Sequence, residues 1–88
     1  MANFMGGSAP AMANQVAEGF ILLSANTLKG FTPGDLNLLR MELDKLQRET
    51  RALVPPPDDA LANQNRNRRI ARLASAMQIV NHKLTARN

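Results

Sequence analysis

Three consecutive prolines, Pro55–Pro57, constrain this chain more than any other feature of its sequence. Proline has no main-chain N–H to donate, and its ring pushes the preceding residue out of the helical region of backbone conformation. A helix that reaches Val54 must therefore end there. Because leucine-rich segments with helical spacing lie on both sides of the prolines, the sequence predicts two long helices that fold back on each other as an antiparallel, coiled-coil-like hairpin.

The segment before the prolines, residues 33–53, is predicted to be a helix. Thr32 is placed to cap its first turn, and the Asp35 carboxylate can accept a hydrogen bond from the main chain of that cap. Asp44 and Arg48 have the spacing of an ion pair one turn apart. Seam positions recur in steps of three and four residues, at Leu36, Leu39, Leu43, Leu46, Thr50 and Leu53. The spacing assigns this face of the helix to the core of the hairpin.

The segment after the prolines is predicted to be a second long helix over residues 58–84. Asp58 offers an oxygen acceptor for the free N–H groups of its first turn. The seam of this helix is formed by Ile70, Leu73, Met77, Val80 and Leu84. When the chain folds back at the prolines, Leu43 comes to lie opposite Leu73.

A shorter helix is predicted over residues 10–29, ahead of the hairpin. Gly30 follows it in the position where a glycine commonly ends a helix in the left-handed conformation. Gly19 lies inside this segment and weakens it by about 1 kcal/mol. Residues 1–9 are interpreted as a flexible arm, and residues 10–88 as a single all-α domain of three helices.

The sequence contains more apolar positions than two helices can bury. A hairpin of this size is only marginally stable, because the gain from burying its side chains is close to the cost of ordering the backbone. The candidate interface residues outside the seam are Phe20, Leu23, Leu38, Met41 and Ile79. Two arrangements are open: a self-contained three-helix bundle, or a chain that completes its core with helices from a partner or from further copies of itself.

The charge of the chain is strongly asymmetric. Residues 1–60 carry five basic and seven acidic residues, a net charge of −2, whereas residues 61–88 carry six basic residues and no acidic one. Four of these basic residues fall within seven positions; they are Arg66, Arg68, Arg69 and Arg72. Such a polarised charge distribution is typical of chains that bind an anionic partner.

Three interpretations of this arginine cluster are open. The arginines could be solvated or paired with acidic residues of the facing helix, with Glu42 near Arg69 and Glu49 near Arg66. They could bind an acidic protein, or they could contact the phosphates of DNA or RNA, with steep salt dependence. The first interpretation is favoured, because the cluster wraps around the helix and no aromatic side chain accompanies it for stacking on bases.

The sequence gives little support for catalysis. His82 is the only histidine, no Asp or Glu lies near it along the chain, and there is no cysteine. A metal site needs several converging ligands, which this composition does not offer. We therefore expect no enzymatic activity, no cofactor, no metal and no small-molecule substrate. The longest apolar run, Phe20–Leu23, is too short to span a membrane, and we expect an intracellular, cytoplasmic protein.

The segment PPPDDALA, residues 55–62, resembles the Pro/Asp break in the hairpin of type III secretion needle subunits, whose protomers stack into a helical filament. The resemblance covers eight residues, and the basic cluster and the shorter second helix depart from that pattern. It implies a self-assembling hairpin without assigning the chain to the family. The function that the sequence predicts is non-catalytic, helix-mediated assembly as a small subunit or adaptor; the alternative is a small basic DNA- or RNA-binding protein.

Overall fold

The computed structural model describes residue 4 and residues 6–86 of the chain. This part folds into three α-helices, α1 (Ala9–Ala17), α2 (Pro33–Ala52) and α3 (Ala60–Ala86), and contains no strand. Helices α2 and α3 form the antiparallel hairpin, and α1 packs against both. The all-α, three-helix class predicted from the sequence is confirmed.

The hairpin seam forms much of a single buried cluster. Leu43 and Leu73, which were predicted to lie opposite each other, are both completely buried within it. The other predicted seam residues that are buried are Leu36, Leu39, Thr50 and Val80. Four more are partly buried, namely Leu46, Ile70, Met77 and Leu84. The core therefore lies in the part of the hairpin away from the prolines.

Leu53 was predicted to lie in this core, and that prediction is wrong. Its side chain is 73% exposed. Helix α2 ends at Ala52, and Leu53 is already extended, with φ −92° and ψ 101°. Because the prolines straighten the chain one residue earlier than expected, Leu53 leaves the helical stripe that would have directed it inward.

Local capping contacts set the starts of both long helices. The hydroxyl of Thr32 accepts a hydrogen bond from the Asp35 main-chain N–H, and the Asp35 carboxylate accepts one from the Thr32 N–H, both at 3.1 Å. This reciprocal box was predicted and is confirmed. At α3 the capping residue is Asp59, not Asp58: its carboxylate accepts from the Ala62 N–H at 3.0 Å. The helix therefore begins at Ala60, two residues later than predicted.

Side-chain contacts reinforce the body of α2 and the turn before α3. The predicted Asp44–Arg48 ion pair is confirmed at 3.0 Å. At the turn, the side-chain amide of Asn63 donates to the carbonyl oxygen of Pro56 at 2.8 Å. This second contact connects the first turn of α3 to the proline segment, so the direction of the chain is fixed on both sides of the break.

Helix α1 is much shorter than the predicted 10–29 segment. Gly19 lies in the left-handed region at φ +85°, so it ends the helix. The Gly19 N–H donates to the Val16 carbonyl at 3.0 Å and the Phe20 N–H to the Gln15 carbonyl at 2.9 Å. This bonding is that of the Schellman motif, which closes a helix around a left-handed glycine. Gly19, not Gly30, is therefore the residue that terminates the first helix.

Residues 18–32 connect α1 to α2 through turns, yet they contribute to the core. Leu28 is completely buried and Leu23 is 4% exposed. Reciprocal hydrogen bonds between Ser24 and Thr27, two at 2.9 Å and one at 3.3 Å, stabilise the turn between these leucines. This segment covers the hairpin as the longer helix was expected to, but without helical structure.

The first residues of the chain approach this connection. The rings of Phe4 and Phe31 meet edge to face, with centroids 5.3 Å apart, and Ser8 caps α1 through its hydroxyl. Residues 1–3, Met5 and residues 87–88 lie outside the described part, so the flexibility of the 1–9 arm stays a prediction. No helix within the described residues is both long and apolar enough to cross a bilayer.

We expect Leu43→Ala to lower the free energy of unfolding by about 2–5 kcal/mol, because it removes a fully buried side chain and leaves a cavity. Leu38→Ala is the matched control: Leu38 lies on the same helix but is 52% exposed. Its effect should stay below about 1 kcal/mol, as for an ordinary surface substitution. Urea denaturation followed by circular dichroism measures both, and equal losses would show that Leu43 does not lie in the core.

Candidate protein-interaction surface

An open groove runs between the segment after α1 and one side of α3; we call it the α3 groove. Its first half, a cavity of about 310 Å³, is formed by Val16, Gly19 and residues 21–23 against Ala71, Arg72, Ser75, Ala76 and Ile79. Its second half continues past Leu23 and Ile79 to His82 and Lys83. Because both halves share Leu23 and Ile79, they form one continuous surface about three helical turns long.

The groove is bordered by large apolar side chains that the fold leaves in solvent. Leu22, which lines it, is 86% exposed; Phe20, two residues earlier in the chain and not part of the lining, is 79% exposed. Ile79 on the opposite wall is partly buried and packs against the core. Phe20 and Ile79 were both predicted interface residues, and the structure brings their segments together at this groove.

Two other predicted interface residues lie elsewhere. Leu38 and Met41 are 52% and 60% exposed on α2, and neither lines the groove. Leu23 was predicted to contact a partner, but the turn at 24–27 folds it into the core, so it forms the floor of the groove instead. Leu22 was counted among the spare apolar residues of the chain but not among the predicted interface residues.

Arg66 has a role within the fold. Its Nε donates to the carbonyl oxygen of Leu53 at 2.9 Å and to that of Thr50 at 3.3 Å, and its Nη2 donates to the carbonyl oxygen of Arg51 at 2.9 Å. The last carbonyls of a helix have no partner within that helix. A planar guanidinium can satisfy several of them at once, and its charge is favourable at the negative end of the helix.

Arg72 makes the equivalent contact at the end of α1. Its Nη1 donates to the carbonyl oxygen of Ala17, the last residue of α1, at 3.0 Å. The guanidinium lies directly against Gly19, where an added Cβ would be 3.1 Å from its central carbon. The glycine that ends α1 therefore also leaves room for the arginine that binds the helix end.

Arg69 connects α3 to both of the other helices. Its Nε donates to the hydroxyl of Thr50 at 3.2 Å, and its Nη1 forms an ion pair with the carboxylate of Glu18. The buried Thr50 hydroxyl in turn donates to the carbonyl of Leu46 at 2.7 Å. The predicted partners Glu42 and Glu49 are not used: Glu18 pairs with Arg69, and main-chain carbonyls bind Arg66.

Arg68 is the one member of the cluster without a hydrogen bond or ion pair among the described residues, and it is exposed. It lies one turn before Arg72, so it extends the α3 groove at that end. His82 is exposed at the other end and lines the groove beside Lys83. The described residues contain no cluster of three or more side chains of the types that bind metals.

Comparison with known proteins gives no relative for this chain: no family model, curated protein or solved structure matches it significantly. The resemblance of residues 55–62 to needle subunits therefore has no further support. The function must be argued from the surface itself.

We expect Arg66→Lys to lower the free energy of unfolding by about 1–3 kcal/mol, because a lysine cannot reproduce the forked donation to several carbonyls. Arg68→Lys keeps the same charge and removes no contact, so its effect should be within about 0.5 kcal/mol. Thermal and urea denaturation measure both. If the two variants are equally stable, Arg66 does not hold the end of α2.

Gly19 and Gly30 form a second matched pair, with φ of +85° and +87°. Alanine at either position costs about 1–2 kcal/mol for the left-handed backbone. Only at Gly19 does the new Cβ also meet the Arg72 guanidinium, whereas nothing lies within 4 Å at Gly30. We therefore expect Gly19→Ala to be the more destabilising in urea denaturation, and the reverse order would contradict the Arg72 contact.

Proposed function

We propose that this chain is a non-catalytic helical subunit or adaptor that assembles with helices of a partner, either another protein or further copies of itself. The observation that carries the proposal is the pair of exposed side chains beside the α3 groove, Phe20 and Leu22, at 79% and 86% exposure. Single exposed leucines are ordinary on protein surfaces. Contiguous apolar surface next to a concave wall is typical of interaction sites.

The energetic argument supports the same proposal. Covering a large apolar side chain that would otherwise stay in water contributes about 1.5–3 kcal/mol. Phe20 and Leu22 follow directly after the glycine that ends α1, while Leu23 is folded inward. The same short segment thus holds one leucine in the core and presents two large side chains outward. A partner that covered both would gain free energy that folding alone does not provide.

The alternative, binding of DNA or RNA through the arginine cluster, has weaker support. Arg66, Arg69 and Arg72 already donate to groups within the chain. Arg66 and Arg69 are partly buried, so only Arg68 and Arg72 are exposed to a phosphate backbone, and two arginines neutralise few phosphates. Because the charge of the chain is polarised, the cross-linking experiment includes a nucleic-acid product among its outcomes.

A photoreactive benzoylphenylalanine placed at Leu22 tests the proposal in the cells that make the protein. We expect discrete cross-linked species of higher mass, because a partner that covers the groove edge lies within reach of the probe. The same probe at Arg51, which is exposed on α2 away from the groove, should give none. Peptide mass spectrometry then shows whether the product is a second copy or another protein.

Absence of any adduct at Leu22 would overturn the proposal at this surface, provided the variant melts like the unmodified chain. Adducts formed equally at Leu22 and Arg51 would also count against it, since they would report random collision. A product containing nucleic acid instead of protein would favour the alternative function.

A further inference from the structure

We propose that the α3 groove binds an acidic amphipathic helix, with apolar side chains on the groove floor and carboxylates at its basic ends. This inference rests on the proposed function, because it names the chemistry of the partner at the same surface. It depends on two further properties of the groove, its shape and its charge.

The groove has a shape that suits a single bound helix better than it suits a partner with a flat surface. Residues of α3 line it from Ala71 to Lys83. At 1.5 Å per residue this is about 18 Å, or three turns of helix. The opposite wall is formed by Gly19 and residues 21–25, and Leu23 forms the floor. An amphipathic helix places its apolar side chains along one such line, at every third or fourth position.

The charge of the groove is of one sign. Helix α3 contains no acidic residue, and residues 19–31 contain none either. Arg68 and Arg72 lie at one end of the groove, and Lys83 lies at the other. Glu18 lies at the same end as Arg68 and Arg72, but its carboxylate is paired with Arg69, so this end keeps a net positive charge.

This charge also selects among the possible occupants. A second copy of the chain has a net charge of +4, and its own 19–31 segment brings no carboxylate to the groove. Two copies joined through this surface would place basic groups against each other, which disfavours pairing. An acidic partner would gain from the same charges, so electrostatic complementarity favours a helix with carboxylates on its polar face.

Two synthetic helical peptides of 14 residues test the proposal. Both carry the same leucine face; one has glutamate and the other lysine at every polar position. Titration of the full chain, followed by amide NMR shifts, gives the binding site and the Kd. We expect the acidic peptide to shift the amides of Leu23, Ala71 and Ile79 and to bind at least about tenfold more tightly than the basic peptide at low salt, with the ratio falling as salt rises.

Matched variants identify the residues responsible. Arg68→Glu should weaken binding of the acidic peptide about three- to tenfold, as expected for reversal of one exposed charge. Lys45→Glu makes the same charge change outside the groove and should have little effect on the Kd. Leu22→Ser should weaken binding, and Leu61→Ser should not; both leucines are exposed in the free chain, at 86% and 67%. All four positions are exposed, so the variants should remain folded.

Equal affinity for the two peptides, or an effect of Lys45→Glu as large as that of Arg68→Glu, would overturn the inference about charge. Absence of groove shifts with either peptide would overturn the groove as the site, and cross-linking at Leu22 would then decide separately whether the chain assembles at all. Association with anionic phospholipid vesicles that depends on Arg68 and Leu22, without peptide binding, would overturn it in favour of a membrane surface.

Discussion

Hydrogen bonds from the arginines of α3 to the main-chain carbonyls that end α1 and α2 connect the three helices at their weakest points. Arg66 holds the end of α2 and Arg72 the end of α1. Both are the points where the chain stops being helical and its carbonyls lose their internal partners. The apolar core holds the faces of the helices together, and the arginines fix where the helices end relative to one another.

This division of roles explains why the apolar groove exists. Helix α1 is short because Gly19 ends it, and the chain then folds back through turns that bury Leu23 and Leu28. After Gly19, residues 21–25 face α3 across the groove instead of continuing helix α1. Its early end leaves one side of α3 uncovered, with Phe20 and Leu22 at the edge. The interaction surface that we propose is thus a consequence of a glycine cap.

The parts of the fold that could be predicted depend on interactions close together in sequence. The Thr32–Asp35 box, the Asp44–Arg48 pair, the proline break and the spacing of the leucine seam all involve residues within a few positions of each other. The end of α1 could not be placed as well: α2 ends one residue before its predicted end, whereas α1 ends at Ala17 instead of residue 29. Gly19 and Gly30 are both left-handed, but the contact with Arg72, more than fifty residues away in the chain, is made at Gly19 alone of the two. The hydrogen bonds that Arg66 and Arg72 donate could not be predicted from the sequence either. Their acceptors are main-chain carbonyls, which every residue possesses.

That the acceptors are main-chain atoms has a consequence for how the sequence could vary. A carbonyl oxygen remains in place whatever ordinary side chain stands at the exposed positions 51 and 53, so these sites at the end of α2 place little demand on residue type. The donors have no such freedom, because no other side chain offers the same forked N–H groups. Over generations of mutation, the end of α2 could therefore drift in sequence while Arg66, which holds it, stays fixed.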